Sequence, residues 1–254
     1  MSFFQETFEP LRYFLSLFPL LIDGVWMTIQ LLVISAIFGN LLAVPVAVAR
    51  VSRNPLLWVP SYVYILLMRG TPLLAQMYLI YYGLGSLFPG IPGIRESFLW
   101  PYLREGFFYV ALALSLNTAG YSGEILRGAI LAVPHGEIEA AKAYGMSRWM
   151  MLRRVILPRA IRISLPTFSG ETILLLKATA LASTVAVADV LGMAQRIRAN
   201  DLRTYEPLLA AAVVYIALTY IVTRCFYFAE RRLNKDRLPP KASAPPAPKA
   251  ARAA

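Results

Sequence analysis

Ionisable and amide side chains stand inside otherwise apolar runs of this chain, and they are the groups whose types could do chemistry. Glu171 has Thr167, Ser169 and Thr172 around it, Asn117 adjoins Thr118, Glu124 and Arg127 stand three apart, and Arg69 is followed by Gly70 and Pro72. One His, His135, leaves little for a metal cluster, and one Cys, Cys225, excludes an intramolecular disulfide. No G-x-x-x-x-G-K-[ST] loop is present to cradle a nucleotide, and no His/Cys/Asp cluster suggests a membrane enzyme. What remains is non-covalent work. Opposite charges ~4 Å apart at an effective dielectric of ~20 attract by about 4 kcal/mol before desolvation, enough to select against anions. Glu171 is therefore a candidate site for a cationic solute, with Asn117, Thr118 and Thr172 as helpers. The competing reading makes Glu171 a strut that pairs with Arg69 or another buried base.

A second stretch is charged for a different reason. Residues 133–147 read Val-Pro-His-Gly-Glu-Ile-Glu-Ala-Ala-Lys-Ala-Tyr-Gly-Met-Ser. Good helix formers between Pro134 and Gly145 describe about three turns of helix with Gly145 as the stop. Ala140, Ala141 and Ala143 present little bulk, so another protein can approach the backbone closely, while Glu137, Glu139 and Lys142 offer charge for orientation. A helix of this kind lies outside the bilayer and can carry force between a membrane body and a soluble partner.

The elements that must position these groups are membrane spans. The chain has 254 residues, 58% hydrophobic and 15% charged, with mean hydropathy +0.57. A soluble domain carries about 25% charged residues. The net charge of +11 sits in loops flanking apolar runs, so it reads as a topology signal and not as a nucleic-acid footprint. The expectation is an all-α membrane protein with about five transmembrane helices. Residues 1–24 read as an interfacial segment, because the apolar run 14–22 is short and contains Pro19. The first span is 25–49, closed by Arg50 and Arg53. The second, 56–87, is interrupted by Arg69-Gly70-Thr71-Pro72, which puts Arg69 ~20 Å from the cytoplasmic end. Carbonyls freed there must be satisfied by neighbours, and Arg69 is either a cap for them or a direct member of the substrate pathway with Glu171, Asn117, Thr118 and Thr172.

The third span, 107–133, places Asn117 and Thr118 ~15 to 17 Å deep, and places Glu124 and Arg127 near the inner surface as a structural or gating pair. The fourth, 161–188, holds Glu171 ~15 Å in, and the fifth is 207–229. Loops 88–106 and 189–206 balance their charges and read as external. Arg148, Arg153, Arg154, Arg159 and Arg162 mark the inside, as do Arg231, Arg232, Lys235, Arg237 and Lys241. The N-terminus is then outside and the C-terminus cytoplasmic. The Pro/Ala/Lys segment 233–254 reads as disordered.

Glu139-Ala140-Ala141, Gly145, Val155 and Leu157-Pro158 stand at the spacing of the cytoplasmic coupling loop of ABC importer permeases, with Val155 where Ile is usual. Arg69-Gly70-Thr71-Pro72-Leu73-Leu74, Gln76 and Tyr81-Tyr82-Gly83-Leu84 resemble the polar amino-acid branch of that family. Residues 133–145 and 160–166 look most like the M-type permeases of histidine/lysine/arginine/ornithine and opine importers. Gly170 stands where such relatives carry Asn, and Lys177 where a His can occur.

The resemblance covers about residues 25–232 and implies a type I ABC importer permease fold with a cytoplasmic coupling helix. It implies coupling to ATPases through Gly136, Glu137, Glu139, Ala140, Ala141, Gly145, Leu157 and Pro158. A second, homologous permease, two ABC ATPase subunits that use ATP and Mg, and a periplasmic solute-binding protein would complete the assembly in the bacterial inner membrane. This chain itself would bind no cofactor. The cargo implied is a polar, cationic amino acid or opine, and a glutamine/glutamate-type cargo is the alternative. A proton-coupled carrier would also explain buried charge, but no inverted repeat is visible and the docking loop has no role in one.

Overall fold

The structure is a computed structural model that describes residues 2–233, with side chains from residue 11 onward. The tail expected to be disordered lies, from residue 234, outside the described residues. Among the described residues all regular structure is helical. The long elements are α1 (Ser2–Arg50), α2 (Pro55–Gly70), α3 (Leu73–Tyr78), α4 (Gly106–Leu131), α5 (His135–Ala143), α6 (Leu157–Ala178), α7 (Val190–Asp201) and α8 (Tyr205–Leu233).

The expected interruption at Pro19 is absent. Residues 1–24 and the first span do not separate: α1 runs unbroken from Ser2 to Arg50 through Pro10, Pro19 and Pro45. An interior proline removes one ladder bond, a loss that neighbouring helices can compensate in a membrane bundle. Leu17 and Leu21, on either side of Pro19, are fully buried against Val190, Ala194 and Ile197 of α7 and Ala210 and Ala211 of α8. At 1.5 Å per residue α1 is ~74 Å long, far beyond the ~30 Å of a hydrocarbon core.

The interruption after Arg69 is present and sharper than a kink. Asn54 caps α2 by accepting from the Leu56 N–H at 3.0 Å, and Pro55 occupies the first turn, where its missing N–H costs nothing. The helix stops at Gly70, and the continuation Leu73–Gly90 turns away by 107°. That continuation passes into a π-helix at Leu79–Leu84.

Among the described residues two stretches are each long and apolar enough to cross a membrane, Leu11–Arg50 of α1 and α8. The bent pair through Gly70 and a second bent pair, Arg148–Val185 with Val190–Asp201, raise the number to four. The remaining expected span, the third in chain order, is α4, whose 26 residues reach ~39 Å. It carries too many polar and small residues to stand out by apolarity, because α4 is the centre of the bundle, packed by α1, α2 and α6. Val110, Leu114, Thr118, Ala119 and Ser122 of α4 are all buried.

Three core clusters stack along the bundle. Leu17, Val190 and Ala210 close the α7 end. Leu31, Met77, Val110, Leu114 and Leu176 fill the middle. Ala47, Leu126, Ile130, Val133 and Ala160 close the α5 end. The last cluster joins the C-terminal ends of α1 and α4 to the start of α6, so α1 and α4 run parallel in direct contact and α6 runs back alongside α4.

Close approach of backbones makes this packing possible. A Cβ built on Gly39 of α1 would lie 2.7 Å from the Thr118 side chain, and one on Gly120 of α4 would lie 2.6 Å from Met68 Cβ. Gly170, by contrast, has nothing within 4 Å. Alanine in a helix interior is ordinarily worth up to ~1 kcal/mol over glycine. Gly39→Ala and Gly120→Ala are expected to reverse that sign and lose about 1–3 kcal/mol through overpacking, whereas Gly170→Ala is neutral or stabilising. Thermal melts of the purified chain in detergent check the ordering.

Candidate functional site

The exposed helix forms where expected. Pro134 precedes it in an extended conformation, His135–Ala143 is helical, and Glu137 stands in its first turn. Gly145 ends it at φ +71°, a left-handed conformation that glycine adopts without a Cβ clash. The Gly145 N–H donates to the Lys142 carbonyl at 2.9 Å and the Met146 N–H to the Ala141 carbonyl at 3.1 Å.

The helix is bolted to the bundle in two ways. Ile138 packs against the core cluster of Val133, Ile130 and Ala160, with Leu157 beside it. Glu137 pairs with Arg159 at the start of α6 at 3.0 Å. Pro158 sits in the first turn of α6. The small residues divide between the two sides. Ala141 is buried and faces the bundle, so it does not offer itself to an approaching protein as expected. Gly136, Glu139, Ala140, Lys142 and Ala143 face outward. Tyr144 and Trp149 flank them, 85% and 69% exposed. Sequence reasoning passed over these two rings, although large aromatics in a charged loop were a readable signal.

The break in the second span is bridged by side-chain amides. Gln76 Nε2 donates to the Met68 carbonyl at 3.0 Å, to the Thr71 carbonyl at 3.2 Å and to Thr71 Oγ1 at 2.7 Å. Asn117 Nδ2 reaches across from α4 and donates to the Met68 carbonyl and to Gln76 Oε1, both at 3.0 Å. The cap expected of Arg69 is thus supplied by Gln76 and Asn117. An amide can donate and accept at once, which a guanidinium cannot. Arg69 instead lies over the Tyr121 ring, 5.3 Å from its centroid.

The side chains expected around Glu171 are not gathered there. Asn117 is committed to the break, and Thr118 is buried against Gly39 of α1. The Thr172 hydroxyl donates to the Phe168 carbonyl at 2.8 Å, within its own helix. Glu171 is half-buried and has no hydrogen bond or ion pair among the described residues, yet Arg69 is within Coulombic reach. The strut reading called for a pair with Arg69 or another buried base, and no such ion pair is formed among the described residues. Glu124 and Arg127 do meet: Arg127 Nη2 lies 2.6 Å from Glu124 Oε1, and Nε lies 2.9 Å from both carboxylate oxygens.

One polar cluster escaped sequence reading altogether. Asp189, assigned to an external loop, is fully buried at the N-terminus of α7. It accepts from the Gly192 N–H at 2.9 Å and from the Tyr215 hydroxyl at 2.7 Å, while Thr28 Oγ1 accepts from the Val190 N–H at 3.2 Å. The fourth span also ends earlier than expected: α6 gives way to a 3-10 helix at Thr179–Val185, and Ala186 adopts φ +61°. Near-neutral charge between residues 189 and 206 suggested exposure, whereas most of that stretch is α7, with Val190, Ala194 and Ile197 buried.

An all-helical bundle with an apolar exterior, a broken span and a helix clamped outside its end defines a membrane permease body. Residues 37–235 match the family described as Binding-protein-dependent transport system inner membrane component, and the chain belongs to that family. It is 44% identical over 220 residues to the octopine transport system permease protein OccM of Rhizobium radiobacter, covering 87% of this chain and 88% of that one. It is also 44% identical over 212 residues to the histidine/lysine/arginine/ornithine transport system permease protein HisM of Escherichia coli K12, covering 82% and 87%. Among solved structures, an amino acid ABC transporter with histidines superposes with TM-score 0.71 at 34% identity, covering 84% of this chain and 94% of that one. The MetNI methionine ABC transporter shares the fold, with TM-score 0.71 at 20% identity, covering 86% and 98%.

The amide network carries a stability prediction. Asn117→Leu leaves the buried Gln76 Oε1 without its donor, and Gln76→Leu leaves the Thr71 carbonyl without one and removes an acceptor from Asn117, so each should cost about 1–3 kcal/mol. Because the two amides are bonded to each other, the double variant should lose less than the sum of the single losses. A double-mutant cycle in thermal unfolding reads this directly.

Proposed function

We propose that this chain is one permease subunit of an ATP-driven importer that carries a polar, cationic amino acid or opine across the bacterial inner membrane. The observation that carries the reading is the α5 helix, exposed along one face and fixed along the other by Ile138 and the Glu137–Arg159 pair. A rigid body fastened to α4 and α6 transmits displacement, which a flexible loop does not. The relatives named for octopine and for histidine, lysine, arginine and ornithine supply the class of cargo.

In this reading the assembly contains a second, similar permease, two ABC ATPase subunits that use ATP and Mg, and an external solute-binding protein. Residues 25–232 make up the permease domain, with the N-terminus periplasmic and the C-terminus cytoplasmic. The outward face of α5, with Gly136, Glu139, Ala140 and Gly145, meets an ATPase. Glu137, Ala141, Leu157 and Pro158 hold that face to the bundle. Closure of the ATPases pushes α5, and the push passes through the cluster of Val133, Ile130 and Ala160 to rock α4 against α6. Glu171, half-buried on α6 and without an ion-pair partner among the described residues, attracts the cationic cargo, with Arg69 and Thr172 on the same pathway. Asn117 and Thr118 shape that pathway from behind by fixing the break and the α1 contact. Glu124 and Arg127 act as the structural or gating pair, and Gly70 and Pro72 as the fixed elbow.

Two variants test the reading. Gly145→Val places a β-branched residue at φ +71° and should leave ATP hydrolysis running while uptake falls at least tenfold. Glu171→Gln should leave the complex assembled while uptake of labelled arginine is lost. Unchanged uptake in the first variant, or loss of the folded complex in the second, would count against the proposal. Both are read in proteoliposomes with the solute-binding protein supplied outside.

A further inference from the structure

Three arginines surround a single carboxylate beside the broken helix. Glu124 is taken up by Arg127, while Arg50 and Arg69 act on it through space. Neither of those two has an ion-pair partner within 4 Å among the described residues. Each lies over aromatic rings instead: Arg50 at 4.9 Å from the Tyr62 centroid and 5.4 Å from that of Trp58, Arg69 at 5.3 Å from that of Tyr121. Arg50 Nε is buried with no acceptor.

Between α2 and α4 these side chains wall a groove of about 370 Å³, with Arg50, Tyr62, Arg69, Tyr121 and Glu124 along it. Cations held within a membrane bundle are costly unless an anion joins them. A guanidinium stacked on a ring still has its N–H edge available, and that planar edge matches a carboxylate in two parallel hydrogen bonds. Arg69 is also the cation in Coulombic reach of Glu171. The groove and Glu171 therefore form two ends of one field, the first attracting anions and the second attracting cations.

We propose that this groove is a carboxylate subsite. Arg69, held on Tyr121, receives the α-carboxylate of the solute while Glu171 draws its cationic end. Arg50 receives a second carboxylate where the solute has one, as an opine does. The inference rests on the permease reading above and assigns the end of the solute that Glu171 leaves unaccounted for. The solute class is a cationic α-amino acid with its carboxylate free, or an N-carboxyalkyl derivative of one.

The test uses the assembled permease–ATPase complex in nanodiscs of neutral lipid without the solute-binding protein, so that discrimination belongs to the membrane subunits. Bound radiolabelled L-arginine is displaced by L-arginine, L-arginine methyl ester or octopine. In the wild type the ester should be at least tenfold weaker than arginine. Arg69→Gln should lower arginine to the level of the ester, and Arg69→Lys, which keeps the charge and loses the planar fork, should fall between. Arg50→Gln should weaken octopine and spare arginine. Glu171→Gln should weaken arginine and its ester in parallel.

Equal displacement by acid and ester in the wild type would overturn the subsite, as would ester discrimination that survives Arg69→Gln. The permease reading would still stand in both cases if Glu171→Gln abolishes arginine binding. Arginine binding unaffected by Arg69→Gln, in a variant that retains less co-purified phosphatidylglycerol than the wild type before transfer to neutral lipid, would assign the groove to a lipid headgroup and overturn the proposal. Failure of the wild-type complex to bind arginine at all would sink the permease reading for this cargo and the subsite with it.

Discussion

A peptide carbonyl freed within a hydrocarbon layer has no water to turn to, and the rest of this bundle is arranged around that constraint. The second span stops at Gly70 and turns by 107°, exposing the Met68 and Thr71 carbonyls. Gln76 folds back over them, and Asn117 crosses from α4 to close the set. The polar middle of α4 follows from this duty. Asn117 must reach α2, Thr118 must tuck against Gly39, and Gly120 must let Met68 approach. A helix with those tasks has to be central, since lipid would leave its amides unpaired.

The same logic separates the charges into those with partners and those without. Glu124 with Arg127, Glu137 with Arg159 and Asp189 with Tyr215 are satisfied locally and hold elements together. Glu171, Arg50 and Arg69 have no such partner among the described residues, and all three are partly open. Burial of an ionisable group is justified either by a permanent counter-group or by one that arrives, and the second kind marks a transport path. The fixed pairs hold elements together, and under the proposed function the open charges are the ones that interact with cargo.

The two ends of the bundle are also built differently. The α5 end is dense and apolar, with Ala47, Leu126, Ile130 and Ala160 packed beneath the exposed helix. A close-packed cluster passes displacement on because it has little free volume in which to absorb it. At the other end the continuity of α6 is lost in a 3-10 stretch, a left-handed Ala186 and a capped turn at Asp189, so α7 sits on a joint and not on a rod. Under the proposed function, stiffness at one end and a jointed helix at the other suit a body that is pushed from one side.

Much of this was readable from residue order alone. The apolar runs, the Gly-Thr-Pro interruption and the clustering of arginines required a helical membrane bundle, and Pro134 to Gly145 required a short helix with a glycine stop. Those are local or compositional properties, in which side-chain chemistry and chain conformation are coupled within a few residues. The sequence could not show that Pro19 leaves α1 unbroken, that Asn117 serves the break and not Glu171, or that Asp189 is buried against Tyr215. Each of those outcomes depends on what a distant segment presents at the same point in space. A hydrogen bond between residues 189 and 215, or a glycine on α1 opposite a threonine on α4, exists only once the helices have packed, and only that packing decides which polar groups are spent on structure and which remain open.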